Sequence, residues 1–209
     1  MTTILATGPE HGPRLLLAHG AGAPMDSPFM ERITQYLVAH GIQILRFEFA
    51  YMAARRNGAS KRPPPPMAKI IEEYRQVVKL LSPGPLAIGG KSMGGRAASL
   101  IIDELYQQGL VDKLILLGYP FHPPAKPENL RTSHLEQLKC PTLLCQGERD
   151  AFGTKAQVSQ YALSSSIHIQ WLADGDHDLK PRVISGVEWR DNLQTSAKAI
   201  ADFMSAAKT

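Results

Sequence analysis

The run Leu86-Ala87-Ile88-Gly89-Gly90-Lys91-Ser92-Met93-Gly94-Gly95 constrains this chain more than any other stretch. A short apolar segment ends in Gly-Lys-Ser-Met-Gly, and a helix-like apolar pattern follows at once. The order strand, sharp turn, helix places Ser92 on strained backbone at the turn's tip. Glycine two positions before and two after lets the chain pass without clash. Ser92 then stands clear of the sheet with its hydroxyl exposed, and the Met93 N–H opens a helix whose positive end favours negative charge. Gly90-Lys91-Ser92 also echoes the end of a phosphate-binding loop, but the upstream glycine of such a loop is missing.

The rest of the chain alternates strand-like and helix-like segments. Arg14 to Ala18 reads as a buried strand that breaks into the loop His19-Gly20-Ala21-Gly22-Ala23. Ser27-Pro28 opens a helix that Gly41 stops. Ile42 to Phe49 is a second strand, and Ala50 to Pro66 reads as a long loop ending in the stiff run Pro63 to Pro66. A helix from Met67 is closed by Ser82-Pro83-Gly84-Pro85. The central strand and the Ser92 turn lead into a helix to about Gln108. Further strands are expected at Leu114–Leu117, Thr142–Cys145 and Ile167–Leu172, with helices over Lys155–Leu163 and from Trp189 to Met204. Several strands are short, uninterrupted apolar runs, as in a parallel sheet covered on both faces. The predicted fold class is therefore α/β, a three-layer αβα sandwich with a mostly parallel sheet of about six strands. The 209 residues are taken as one domain with a sizeable core. The segment from Tyr119 to Lys139 leaves room for only a very small cap.

Ligands of parallel sheets bind beyond the carboxyl ends of the strands. The loops at His19, Ser92, Asp150 and His177 all leave such ends and so converge on one edge. Ser92, Asp150 and His177 follow the chain order nucleophile, acid, histidine, which is the order of α/β-hydrolases. The acid lies between Glu148 and Asp150; Asp150 stands further along its loop and is the choice for a carboxylate reaching the histidine. Asp176 and Asp178 flank His177, but adjacent residues rarely face each other. Of the seven histidines, His168 falls inside a strand, His40 at a helix end, and His11 and His134 carry no motif. His19 is placed to brace the first glycine loop. The expected oxyanion donors are the N–H groups of Met93 and Ala21.

Charge and composition set bounds on partners. The net charge of +4 is too mild to imply nucleic acid. No apolar run is long enough to span a membrane, and residues 1–13 lack the pattern of a signal peptide. Cys140 and Cys145 fit no metal motif and point to opposite faces of one extended run, as free thiols of a reducing cytoplasm would. No metal and no organic cofactor is expected. Arg55, Arg56, Lys61, Arg62, Arg131 and Lys91 could form a cationic rim at the strand ends, which either keeps the protein soluble or attracts an anionic acyl substrate. Phe121, with Arg55, Arg56 and Arg131, is a candidate substrate contact.

These residues look like the α/β-hydrolase family. Arg46-Phe47-Glu48-Phe49-Ala50-Tyr51-Met52, followed by Arg55-Arg56 and the prolines, resembles a small bacterial subfamily. So do Gly118-Tyr119-Pro120-Phe121-His122-Pro123-Pro124, Leu130-Arg131-Thr132-Ser133-His134-Leu135 and the stretch from Gln146-Gly147 to Asp150-Ala151-Phe152-Gly153. That subfamily is similar to the hydrolase-like domain of a subunit of the NSL chromatin complex and of a testis-expressed protein. The likeness covers about residues 14 to 205, with Ala50 standing where proline is expected. It implies a minimal hydrolase fold and a Ser92–Asp150–His177 triad, and it names no substrate. The expected activity is cleavage of an acyl ester through an acyl-enzyme. Thioester, lactone or peptide cleavage on the same residues is the alternative, and so is a binding module that keeps the fold.

Overall fold

The computed structural model describes residues 3–81 and 84–206. Ser82 and Pro83, expected to end a helix, lie outside the described residues. Seven strands form one sheet: β1 (Ile4–Thr7), β2 (Arg14–Ala18), β3 (Gln43–Phe47), β4 (Ala87–Lys91), β5 (Lys113–Leu117), β6 (Thr142–Gly147) and β7 (Ile167–Leu172). Their order is β1-β3-β2-β4-β5-β6-β7, and every pairing is parallel except β1 with β3. The extra strand beyond the six expected is β1. It is four residues long and half exposed at the sheet edge, so it carries little apolar signal in the sequence.

Helices α1 (Pro28–Ala39) and α7 (Trp189–Ser205) cover one face, and α3 (Met67–Leu81), α4 (Met93–Ser99) and α5 (Ile102–Gln107) cover the other. The two-residue period of a strand divides the core between them. Leu16 and Ala18 point to the face of α3 to α5, while Leu15 and Leu17 point to α1 and α7. All four are fully buried, and each leucine of this kind contributes about 1.5–3 kcal/mol relative to exposure. The cysteines divide in the same way, Cys140 into the first cluster and Cys145 into the second. Burial pushes the Cys145 thiol up to about 12, so it is inert.

The structure corrects three expectations. The start of the supposed long loop is a two-turn helix, α2 (Ala50–Arg56), and irregular backbone runs only from residue 57 to Pro66. Ala50 opens α2, and its N–H donates to Glu73 Oε2 at 2.8 Å, a bond that proline in its place could not make. The helix after Ser92 breaks at Leu100–Ile101 into α4 and α5, and α6 (Lys155–Val158) is a single turn held by a capping box between Thr154 and Gln157. The segment from Gly118 to Pro141, between β5 and β6, contains no helix or strand, so no helical cap covers the strand ends.

Candidate active site

The site grows from the end of β4. Ser92 has φ 52 and ψ −114, a conformation that costs a non-glycine residue on the order of 1–3 kcal/mol. The surroundings hold it there. Its N–H donates to Leu117 O at 3.0 Å, and its carbonyl accepts from Arg96 N at 2.9 Å. The flanking glycines are required by close backbone approach: a Cβ on Gly90 would lie 2.5 Å from Ala18 O, and one on Gly94 2.6 Å from His19 O. The Ser92 turn is thus wedged against the end of β2.

The structure brings Ser92, His177 and Asp150 together. Ser92 Oγ lies 2.8 Å from His177 Nε2, and His177 Nδ1 lies 2.8 Å from Asp150 Oδ2. Asp150 is fully buried. Its Oδ1 accepts from Phe152 N at 2.8 Å and its Oδ2 from Gln146 Nε2 at 2.8 Å. With these donors on its oxygens Asp150 is fixed in place as the partner of His177 Nδ1, which aims His177 Nε2 at the serine hydroxyl. Gln146 was not singled out from the sequence. It is buried on β6, and its Oε1 accepts from Tyr119 N at 2.7 Å, so it ties two strand ends to Asp150. Glu148, the competing acid, faces away: it pairs with Lys155 at 2.8 Å and accepts from Asp174 N, which holds its carboxyl below the usual range. Phe152 stacks on His177 with 4.2 Å between ring centroids.

His19 has the bracing role expected of it. Phe49 N–H donates to its Nε2 at 3.2 Å, so Nδ1 carries the proton and donates to Gly20 O at 2.6 Å. Burial lowers its pKa and keeps it neutral. Tyr51 OH donates to Ala21 O at 2.9 Å. With both carbonyls of the loop held from behind, the loop from Gly20 to Ala23 lines a cleft of about 440 Å³ with Ser92 and His177. Met93 is the first residue of α4, where a backbone N–H has no intrahelical acceptor. The remaining wall is mostly apolar, with Phe29, Met30, Phe152 and Trp189.

The expected cationic rim is largely spent elsewhere. Arg56 is clamped between Glu48 (2.7 Å) and Asp26 (2.8 Å), away from Ser92. Arg55 donates to Arg62 O and lies over the Tyr51 ring. Neither arginine lines the cleft. Phe121, expected to touch substrate, is fully buried against Tyr119, Tyr161 and Gly153. Arg131 is half-buried outside the cleft wall. Lys91 does line the cleft, but as a nearly buried side chain paired with Asp178, and burial lowers its pKa.

A mostly parallel sheet with a strained serine on the turn after its central strand, and an acid and a histidine on later loops, defines a protein of the α/β-hydrolase fold. Residues 11–205 match the alpha/beta hydrolase domain family, and the chain belongs to it. Solved structures of similar fold include Est1E from Butyrivibrio proteoclasticus with bound ferulic acid, at TM-score 0.70 and 13% identity over 97% of this chain and 94% of that one. Dienelactone hydrolase from Anabaena variabilis matches at TM-score 0.71 and 18% identity, over 97% and 90% of the two chains. The thioesterase domain from the curacin biosynthetic pathway matches at TM-score 0.65 and 14% identity, over 96% and 93%. Among the described residues no helix is long and apolar enough to cross a membrane, and no group of side chains could hold a metal ion.

Proposed function

We propose that this chain is a serine hydrolase that cleaves an acyl ester through an acyl-enzyme on Ser92. The observation that carries the reading is the pair of 2.8 Å contacts from Ser92 Oγ to His177 Nε2 and from His177 Nδ1 to Asp150 Oδ2. His177 takes the Ser92 proton as Oγ attacks the acyl carbonyl. Asp150 stabilises the imidazolium that results. The Met93 and Ala21 N–H groups receive the oxyanion, each worth on the order of 3 kcal/mol by analogy with other oxyanion donors. His177 then protonates the leaving alkoxide, and water, deprotonated by the same ring, releases the acid. The chemistry needs no metal and no cofactor.

The walls of the cleft suit a compact acyl group with an apolar or aromatic body. Lys91 and Asp178 neutralise each other at its edge. On the motifs that run from Arg46 to Met52 and from Gly118 to Pro124 we place the chain in the bacterial group similar to the NSL-subunit domain, as a single cytoplasmic domain. The test is turnover of p-nitrophenyl esters with short aliphatic and aromatic acyl groups. The reading predicts a burst of p-nitrophenol stoichiometric with enzyme, or steady turnover, for at least one of them. Inertness toward every ester, together with failure to acquire an acyl group by mass spectrometry, would refute it.

A further inference from the structure

The sheet ends in two edges of different character. At one edge β1 is only four residues long. At the other, β7 runs for six residues, Ile167-His168-Ile169-Gln170-Trp171-Leu172, without the lysine, carboxylate or proline that commonly blunts an exposed edge. Its backbone bonds alternate along the strand. Thr142 N–H donates to Ser166 O at 2.9 Å, and Glu148 N–H donates to Leu172 O at 3.1 Å. In a parallel pair a residue turns both its N–H and its C=O toward the neighbouring strand, and the next residue turns both away. Ser166, His168, Gln170 and Leu172 therefore face β6, and Ile167, Ile169 and Trp171 face outward. Two of the outward groups are satisfied within the chain: Ile167 N–H donates to Ser164 O at 3.0 Å, and Trp171 O accepts from Gln170 Nε2 at 3.1 Å. Among the described residues nothing bonds the other outward groups, which are Ile167 O, Ile169 N–H, Ile169 O and Trp171 N–H.

We propose that β7 is the interface between two copies of this chain, paired antiparallel about a two-fold axis at Ile169. That register gives every open group a partner. Ile169 N–H of each copy donates to Ile169 O of the other, and Trp171 N–H of each donates to Ile167 O of the other. The same register would also join Ile167 N–H to Trp171 O, and those are the two groups already bonded within their own chain. An axis moved to His168 would leave Trp171 N–H unpaired, and one moved to Gln170 would leave Ile167 O unpaired. The side chains agree with this choice. Ile167, Ile169 and Trp171 lie on the face of α3 to α5, so Ile169 meets its own copy and Trp171 meets Ile167, both apolar cross-strand pairs. On the other face the exposed His168 stands across from the half-buried Gln170, and no like charges meet. The contact is isologous and closes on itself, as a dimer needs. It joins two sheets into one, with the antiparallel step at their junction.

Analytical ultracentrifugation over a concentration series tests the dimer, and two further measurements test its register. Wild type should sediment as a dimer that dissociates on dilution. Ile169→Pro removes an outward N–H and leaves the bonds to β6 intact, so it should fold and sediment as a monomer. Amide hydrogen exchange gives the second measurement. The N–H groups of Ile169 and Trp171 should be protected in the dimer and exchange faster on dilution, while those of His168 and Gln170, which face β6, should stay protected throughout. Oxidative cross-linking gives the third. In the proposed register two Ile169 Cα atoms lie about 5.5 Å apart, within disulfide reach, so Ile169→Cys should form a covalent dimer. Two copies of residue 168 lie on a diagonal of about 7–8 Å, so His168→Cys should not. The native cysteines are buried and give a low background. A monomer at every concentration overturns the proposal. So does a dimer in which the exchange of Ile169 and Trp171 ignores dilution. Cross-linking of both cysteine variants alike, or of neither, overturns the pairing about Ile169. Should Ile169→Pro fail to fold, exchange in wild type decides alone.

Discussion

Lys91 and Asp178 meet at the edge of the candidate cleft, with Lys91 Nζ 3.2 Å from Asp178 Oδ1. The pairing is lopsided, since the lysine side chain is 7% exposed and the aspartate 61%. A buried cation on the strand before Ser92 therefore holds the loop that carries His177, and the loop is fastened again where Trp189 Nε1 donates to Asp178 O at 2.8 Å. Lys91 also lies over the Phe29 ring at 5.3 Å.

Lys91→Met should separate positioning from stability. The buried ammonium is disfavoured by desolvation, so methionine should leave the melting temperature unchanged or raise it, by up to about 2 kcal/mol of stability. The sign of the pH effect follows from the lowered lysine pKa. The unfolded chain binds the extra proton, so wild-type stability rises with pH as it approaches the ordinary lysine value of about 10.4. The variant should lack that rise while losing kcat with little change in KM. A melting temperature several degrees lower at pH 7 would make the pair a structural support instead.

Asp150→Asn should lower kcat by roughly four decades, as for the corresponding acid in a protease. Gln146→Leu, which removes a donor to Asp150 Oδ2, should lower it by a smaller factor and alter the pH profile. Glu148→Gln should change activity little, because its carboxylate serves Lys155 and the Asp174 amide. Steady-state kinetics on the three variants ranks them, and a larger loss for Glu148→Gln than for Asp150→Asn would show that the acid was misassigned.

The acid side of the stability curve should follow His19 and His134. Both pKa values are lowered by burial, that of His134 to about 4. Below about 6.5 the unfolded chain takes up protons that the native rings refuse, so stability falls as pH drops. His19 can accept the Phe49 N–H only while neutral, so its protonation also frees the glycine loop. Urea denaturation at pH 7 and pH 5 should give a lower midpoint at pH 5. His134→Gln should shrink the difference by an amount on the order of 1 kcal/mol, allowing for solvent screening of a half-buried ring. An unchanged difference would exclude His134 as a source.

Gly94→Ala should destabilise the chain by about 1–3 kcal/mol, because the added methyl meets the backbone carbonyls of Ala18 and His19 at under 3 Å. For a chain of this size that is a fall of several degrees in melting temperature. Gly22→Ala, where the added atom would meet nothing, should leave the melting temperature within a degree or two.

How much of this was legible before the structure differs from residue to residue. Ser92 was, because a strand, a tight turn and a helix are encoded within ten consecutive residues. The loop ends at His19, Asp150 and His177 were, because each follows a short apolar run whose direction the parallel sheet fixes. The edge strand Ile4–Thr7 was not, since its partner, β3, lies some forty residues on and no apolar face marks it. The destinations of long side chains were not either. Arg56 is claimed by Glu48 and Asp26, and Phe121 turns into the core, through contacts that no local pattern carries. The helix at Ala50–Arg56 was obscured by the prolines that follow it, which stop a helix only where they stand.

In the proposed reaction the Ser92 hydroxyl is an activated nucleophile. A fluorophosphonate reacts with such a serine and leaves a phosphonyl group that mass spectrometry locates. Wild-type protein should gain one adduct, on the peptide that contains Ser92. Ser92→Ala should gain none while keeping its far-ultraviolet circular dichroism, and it should lose ester turnover by a factor on the order of 10⁶, as when a protease loses its serine. Labelling of the folded Ser92→Ala protein, or an adduct on another residue of wild type, would remove Ser92 from the reaction.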